Sequence, residues 1–238
     1  MPGFEPFPVD VLDALRREDC TAVYNVMKMA GHVLPDAYSG PELRCLSPGL
    51  PLPIIGYAVT SEWTAGEDEA TNADFLDYID HIEAMPGPKI AVPVDIGARP
   101  GRGGIMGDGI LKEFRTFGCV GAVVGGSVID ITGIKRLGVP VYATGVVPAY
   151  DQLRMTAFGR PVAVGPLRIA DGDLVMADQG GVIRIPREAV DDVVQGMAAF
   201  RALERSVADL LDRPGLTAAD LRRWYAENEP EFLGDERE

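Results

Sequence analysis

KIAVPVDIGARPGRGGIMGDGILKEFRTFGCVGAVVGGSVIDITGIKRLGVPVYAT, residues 89–144, decides the fold class. It opens with a short apolar run, KIAVPV at 89–94, closed by Asp95. A glycine-rich loop follows over 96–109. A helix is expected from about Gly109 to Phe117, because Ile110, Leu111, Phe114 and Phe117 recur at helical spacing. A second apolar run, CVGAVVG at 119–125, is followed by a polar turn or short helix at 126–136 and a third run, PVYAT at 140–144. Unbroken apolar runs of strand length suit strands covered on both faces in a parallel sheet. The strand–helix–strand alternation predicts βαβ units. Ligands of such sheets gather at the carboxyl ends of the strands. Asp95, the 125–130 turn and Gly145 fall at those ends.

Outward from this stretch, residues 8–30 read as helix, interrupted at Asp19-Cys20-Thr21, with Thr21 capping a second helix that ends near Gly31. Residues 31–52 are rich in Gly and Pro, and 53–60 read as a strand. The segment from Glu62 to Glu83 has eight acidic residues, both ends included, and no Lys or Arg. Within this segment Asp74 to Met85 is amphipathic, with Phe75, Ile79, Ile82 and Met85 on one side. After residue 160 the pattern changes. PVAVGPLRI, GDLVMAD and GVIRI are short runs broken by Asp171-Gly172 and Gln179-Gly180-Gly181, which predict hairpins or a compact β layer. From Pro186 a long helix carries Val190, Val193, Val194, Met197, Phe200, Leu203, Val207 and Leu210 on one face, up to Pro214-Gly215. A last helix starts at Thr217, with Asp220 completing a near capping box. The expectation is one domain over 1–238, with a helical extension from about residue 187.

Composition removes several function classes. The 22 basic and 36 acidic residues give a formal net charge of −14, which repels phosphate backbones, so nucleic acid is not an expected partner. An anionic substrate then needs a local positive focus, such as a metal ion. Cys20, Cys45 and Cys119 are odd in number and widely spaced, against a disulfide framework or a zinc knuckle. No basic region followed by an apolar run opens the chain and no run of 18 apolar residues occurs, so a cytoplasmic protein without a membrane partner is expected.

The loop 96–109 lacks both G-x-x-x-x-G-K-[ST] and a clean G-x-G-x-x-G after a strand. Its glycines still permit a nest of backbone N–H groups for a carboxylate or oxyanion, against the plainer reading of a surface loop. Asp108 stands at the entry to the next helix, either as its N-cap or facing a metal and its water shell. Asp130, flanked by Val128, Ile129 and Ile131, can cap a short helix or ligate a hard cation with water in most other positions, which suits Mg²⁺ or Mn²⁺ better than zinc. His32 and His81 have no zinc spacing, His81 reads as solvated or salt-bridged, and no G-x-S-x-G elbow or cysteine–histidine pair is evident.

The run GDGILKEFRTFGCVGAVVGGSVIDITGIKRLGVPVYATGVVP at 107–148 resembles the RraA-like family, which includes divalent-metal-dependent 4-hydroxy-4-methyl-2-oxoglutarate aldolases that also decarboxylate oxaloacetate. REDCTAVYNVMKMAG at 17–31 and GDLVMADQGGVIRIP at 172–186 support it in the expected order. The resemblance implies an α/β fold, a compact layered α/β/α domain of the swivelling phosphohistidine-like type, assembled as a homotrimer or homohexamer with its active site near a subunit interface. It places Asp130 on the metal-binding aspartate and Asp108 on an acidic residue beside the metal and its water. The backbone around Gly104, Ile105, Met106 and Gly107 falls on the loop that holds the oxo-acid carboxylate.

The family motif runs roughly D-G-x-x-R-D, and Gly125 to Asp130 fall on it; the departure that bears on the chemistry is Ile129, which stands where the family has a substrate-contacting arginine. Isoleucine can neither donate a hydrogen bond nor neutralise charge, so the loss costs orders of magnitude in rate unless another cation replaces it. Thr144 and Asn25 are further departures, at a usual arginine and near a usual aspartate. Arg102, with Arg99 and Lys112, is the expected replacement by proximity in sequence.

The resemblance therefore implies a lyase that cleaves or decarboxylates a small 2-oxo acid through an enolate, with Asp108, Asp130 and Arg102 as catalytic residues and Mg²⁺ or Mn²⁺ as cofactor. No lysine occupies an evident Schiff-base position. Two other readings stay open. One is a non-catalytic regulatory or protein-interaction member of the fold. The other is a divergent enzyme whose substrate packs an apolar group against Ile129.

Overall fold

A computed structural model describes residues 4–32, 35–47, 49–65, 73–150 and 152–232. In chain order the elements are α1 Val9–Leu15, α2 Cys20–Met29, β1 Arg44–Cys45, β2 Ile54–Ala65, α3 Phe75–Ala84, β3 Lys89–Asp95, β4 Gly104–Met106, α4 Asp108–Thr116, β5 Cys119–Val128, α5 Ile131–Leu137, β6 Val141–Val146, β7 Leu153–Phe158, β8 Val162–Val164, β9 Leu167–Ile169, β10 Leu174–Asp178, β11 Gly181–Ile185, α6 Val190–Leu211 and α7 Ala218–Phe232. The chain divides into two compact units, one of residues 1–20 and 34–187, the other of 21–33 and 188–238.

In the larger unit the strands run in the order β1-β6-β5-β3-β2-β10-β11, with β4 on β5 and β7 on β2. β2, β3, β5 and β6 are mutually parallel along this order, as the apolar runs predict. Helices α3, α4 and α5 form the crossovers. β1, β7, β10 and β11 are antiparallel additions. Ile90, Val92 and Val94 alternate along β3 and join Val123 of β5 in one core cluster with Val162, Val164, Leu167 and Ile169 of the β8–β9 hairpin. Burying each such side chain contributes about 1.5–3 kcal/mol. Helices α3 and α4 meet through the rings of Tyr78 and Phe114, 5.7 Å apart edge to face, and the Tyr78 hydroxyl donates to the Val59 carbonyl of β2.

In the smaller unit α2 lies close against α6: a Cβ at Gly196 would sit 2.9 Å from Val26. His32 and Asp192 pair at 2.7 Å. The Trp224 indole donates to Ser206, tying α7 to α6. Thr217 and Asp220 exchange hydrogen bonds as a capping box. The predicted face of α6 is buried at Val190, Val193, Met197, Phe200, Leu203 and Leu210, while Val194 and Val207 are half-buried. No helix among the described residues is long and apolar enough to cross a membrane.

Several local expectations change. Helix α2 starts at Cys20, so Thr21 lies inside it rather than capping it. The 96–109 loop contains β4, which pairs with Ser127 and Val128 of β5. The reason is that the backbone leaves β5's edge after Val94 pairs with Gly125, loops out, and returns to the same edge at Gly104. Glycine is needed at that return, because a Cβ at Gly104 would lie 2.5 Å from the Ile129 side chain. Strand β5 runs on to Val128, so the 126–136 segment is strand end followed by helix α5.

Candidate functional site

Three chain segments end together at the carboxyl side of the parallel strands. β4 ends at Met106, β5 at Val128 and β6 at Val146. Backbone bonds lock these ends in register: the Ile129 N–H donates to Met106 O at 3.0 Å, and the Val147 N–H donates to Val128 O at 3.0 Å. Directly after this lock stands Asp130, with φ 53° and ψ 40°. It is the one non-glycine residue with positive φ among the described residues. An L-residue there is held against its intrinsic preference, which occurs where the surroundings over-determine the backbone, often at functional sites.

Asp130 occupies the N-cap position of α5, but its carboxylate makes no capping hydrogen bond. One of its oxygens lies 3.2 Å from the point where Gly107 would carry a Cβ. A capping aspartate ordinarily has β-region φ and ψ, so in its left-handed conformation Asp130 does not cap the first turn and its carboxylate stays exposed. Asp108 is the first residue of α4, and Gly107, not Asp108, is the N-cap. The Asp108 carboxylate lies over Gly133 of α5, where an added Cβ would fall 2.0 Å from its oxygen. Asp108 and Asp130 line one cleft of about 630 Å³, with Ile131, Thr132, Gly133, Arg136, Val146, Val147 and Pro148. Its location at strand carboxyl ends is the place where ligands of α/β sheets bind.

The remaining expected residues sit elsewhere. Ile105 and Met106 are buried in β4 and do not line the cleft. The Gly104 N–H is engaged by Ala149 O at 3.1 Å. Ile129 lies over Gly104 and Gly107, its side chain occupying the space their Cβ atoms would take, and it too is outside the cleft lining. Arg102, Arg99 and Lys112 are exposed and absent from that lining. The cation in the cleft is Arg136, which sequence reading missed. The available signal was spacing: Arg136 follows Thr132 by four residues and Gly133 by three, so all three share one helix face.

The loop 96–103 is held by structural bonds. Asp95, 5% exposed, accepts from the Gly97 N–H at 3.0 Å and the Gly101 N–H at 2.7 Å. The Ser127 hydroxyl donates to Gly101 O at 2.7 Å. His81 stands outside the cleft, its Nε2 3.0 Å from a carboxylate oxygen of Asp171, which also accepts from the Thr60 N–H. The cysteines are free thiols. Burial pushes the Cys119 thiol up to about 12 and raises Cys20 well above the ordinary range, so neither supplies a thiolate nucleophile near neutral pH.

Among the described residues no three His, Cys, Asp or Glu side chains gather as a metal cage. The cleft offers oxygen donors only, from an uncapped Asp130 and from Asp108. That donor set fits a hard cation carrying much of its water, and does not fit zinc.

A family model described as RraA-like, Aldolase/RraA, matches residues 10–184. The chain belongs to the RraA-like family. Its sheet and crossovers are the α/β fold of that family. A protein of Halalkalibacterium halodurans, provisionally named a 4-hydroxy-4-methyl-2-oxoglutarate aldolase, is 30% identical over 163 residues, 66% of this chain and 72% of that protein. Protein DlpA of Legionella pneumophila is 26% identical over 81% of this chain, which spans 30% of DlpA's length. Among solved structures, Streptomyces coelicolor RraAS2, described as an unusual member of the RNase ES inhibitor RraA family, superposes with a TM-score of 0.69 at 23% identity, covering 86% of this chain and 98% of that one. An uncharacterized Pseudomonas syringae protein gives 0.69 at 20% identity over 92% of this chain and all of its own. At these identities the two structures speak for the RraA-like fold alone.

Proposed function

We propose that this RraA-like protein is a metal-dependent lyase that cleaves or decarboxylates a small 2-oxo acid. The observation that carries the reading is the convergence of Asp108 and Asp130 on one cleft at the carboxyl ends of β4 and β5, with Asp130 in a left-handed conformation and without a capping bond. The aldolase relative supports the reaction class.

The physical problem is charge that develops on the 2-oxo group when a bond to the neighbouring carbon breaks. Mg²⁺ or Mn²⁺, held by Asp130 beside Asp108, supplies Lewis-acid stabilisation of that charge. Asp108, half-exposed at the first turn of α4, is placed to hold a water and to pass a proton between it and the substrate carbon. Gly133 leaves room for that carboxylate. Val146, Val147 and Pro148 form an apolar side of the cleft. The same reading takes the working unit to be a cytoplasmic homotrimer or homohexamer.

The test is pyruvate release from oxaloacetate and from 4-hydroxy-4-methyl-2-oxoglutarate, with Mg²⁺, above the metal-only background. D130A is expected to abolish turnover and to lose the rise in Tm that Mg²⁺ with oxalate gives the parent. Turnover by D130A equal to the parent at saturating Mg²⁺ removes Asp130 from the mechanism. A second reading, a non-catalytic interaction protein, is favoured by the apolar Ile129 lying over Gly104 and Gly107. That reading predicts no Tm response to metal in the parent.

A further inference from the structure

We infer that Cys45 is a modification site: a hydroperoxide oxidises its half-buried thiol to a sulfenic acid, and the buried Tyr142 hydroxyl holds the oxygen atom so added. The site is separate from the cleft, because Tyr142 stands four residues before Val146 on β6, about 13 Å along the strand. The argument starts from access. Cys20 and Cys119 are buried, and burial holds both thiols above the ordinary range. Cys45 lies on β1, at one end of the sheet order, half-buried against the edge of the core cluster. Oxidation needs the peroxide to reach the sulfur, so exposure selects Cys45 among the three.

An accessible thiol is not yet a site, and the residue opposite it supplies the second observation. Cys45 pairs with Tyr142 across the antiparallel β1–β6 ladder, where directly opposed side chains share a face. The Leu46 N–H donates to Val141 O at 2.8 Å, so the adjoining pair, Cys45 with Tyr142, is of the non-hydrogen-bonded kind, whose side chains approach more closely. Tyr142 is fully buried, and its hydroxyl has no hydrogen-bond partner among the described residues. The Cys45 thiol lies beside that hydroxyl without meeting hydrogen-bond geometry. Burial first, and then Cys45, raise the Tyr142 hydroxyl far above its ordinary range, so it keeps its proton and remains a donor. A buried donor without an acceptor is costly and uncommon. Sulfur accepts hydrogen bonds weakly, whereas an oxygen added to it gives the hydroxyl the acceptor that it lacks.

The chemistry balances with the hydroperoxide as oxidant. The Cys45 thiolate attacks one peroxide oxygen, an S–O bond forms and the O–O bond breaks. With hydrogen peroxide the departing hydroxide takes up the proton released by the thiol and leaves as water. Sulfur loses two electrons and the peroxide gains them.

The experiment treats the full chain with a few equivalents of hydrogen peroxide, traps sulfenic acid with dimedone and reads the adducts by peptide mass spectrometry. The parent is expected to carry the adduct on Cys45, about tenfold above Cys20 or Cys119, and C45S to carry none at that position. Y142F removes a hydroxyl that has no partner, so it is expected to fold, and continued protection of Cys119 reports that its core is intact. With dimedone added after a delay, the Cys45 sulfenic acid of Y142F is expected to decay about tenfold faster than that of the parent. The oxidised parent is also expected to melt about 2–4 °C above the reduced parent, a comparison that needs no variant. Absence of the adduct at Cys45, or equal labelling of all three cysteines, overturns the site. An equal lifetime in Y142F, or an oxidised parent that melts no higher than the reduced one, overturns the role of Tyr142.

Discussion

Asp95 and Asp130 both close parallel strands of the same sheet, one at the end of β3 and the other two residues beyond β5. They differ in what satisfies their oxygens. Asp95 is buried and accepts from two backbone N–H groups of the loop that it encloses. Asp130 is exposed, sits at φ 53° and makes no capping bond with the helix that it precedes. Proximity to a strand's carboxyl end therefore does not by itself make a functional aspartate. The carboxylate that local backbone has already satisfied is structural. The one held in an unfavourable conformation with its oxygens free is the one available to a ligand.

The first way to break this contrast is to remove the structural member. D95A leaves the N–H groups of Gly97 and Gly101 without their acceptor, and the loss is about 2–4 kcal/mol of unfolding free energy. Urea denaturation measures it. Because Ser127 is tied to Gly101, the same variant loosens the loop that returns the chain to β4. A loss below about 0.5 kcal/mol, the scale of an ordinary surface substitution, would mean that water replaces Asp95 without penalty and that the contrast is empty.

Asp108 can be assigned to one side of the contrast through its neighbour. G133A places a methyl group 2.0 Å from the present position of the Asp108 oxygen, so the carboxylate must move. The Asp108 Cβ also lies 2.8 Å from the added methyl, so rotating the carboxylate does not relieve the clash, and overpacking between α4 and α5 outweighs alanine's helix preference; Tm is expected to fall, by the equivalent of about 1–3 kcal/mol. Turnover is expected to fall about tenfold, because a displaced proton carrier no longer faces the reacting carbon. Unchanged turnover in G133A would place Asp108 with Asp95, as a bystander in the fold.

The sequence made β3, β5 and β6 legible because their apolar runs are unbroken, and it made Asp108 and Asp130 legible through their place after such runs. It concealed β4, whose three residues lie in a glycine-rich segment that looks like loop until its pairing with Ser127 and Val128 is known. It also concealed β7, where Leu153 to Phe158 is only partly buried and carries no continuous apolar signal. Arg102 is the expectation that distance along the chain gives when it stands in for distance in space, and Arg136 does not enter it. Both side chains are exposed, but the loop residue near Gly104 does not line the cleft, while the residue of the seven-residue helix α5 does. The resemblance puts Ile129 at the position of the family's arginine. That it lies over the glycines was beyond reach without coordinates.

The smallest effect offers the sharpest test of Asp130. Its side chain contributes no capping bond, so removing it forfeits none, and its φ of 53° favours glycine. D130G is therefore expected to raise stability, by a net amount on the order of 0.5 kcal/mol after glycine's greater unfolded-state freedom is counted. Turnover should be lost in the same variant. A gain in stability accompanied by a loss of activity is the mark of a residue kept for its ligand at the expense of the fold. A ligand-free D130G less stable than its parent would instead mean that the carboxylate serves the fold, as Asp95 does, and the distinction between the two strand ends would close.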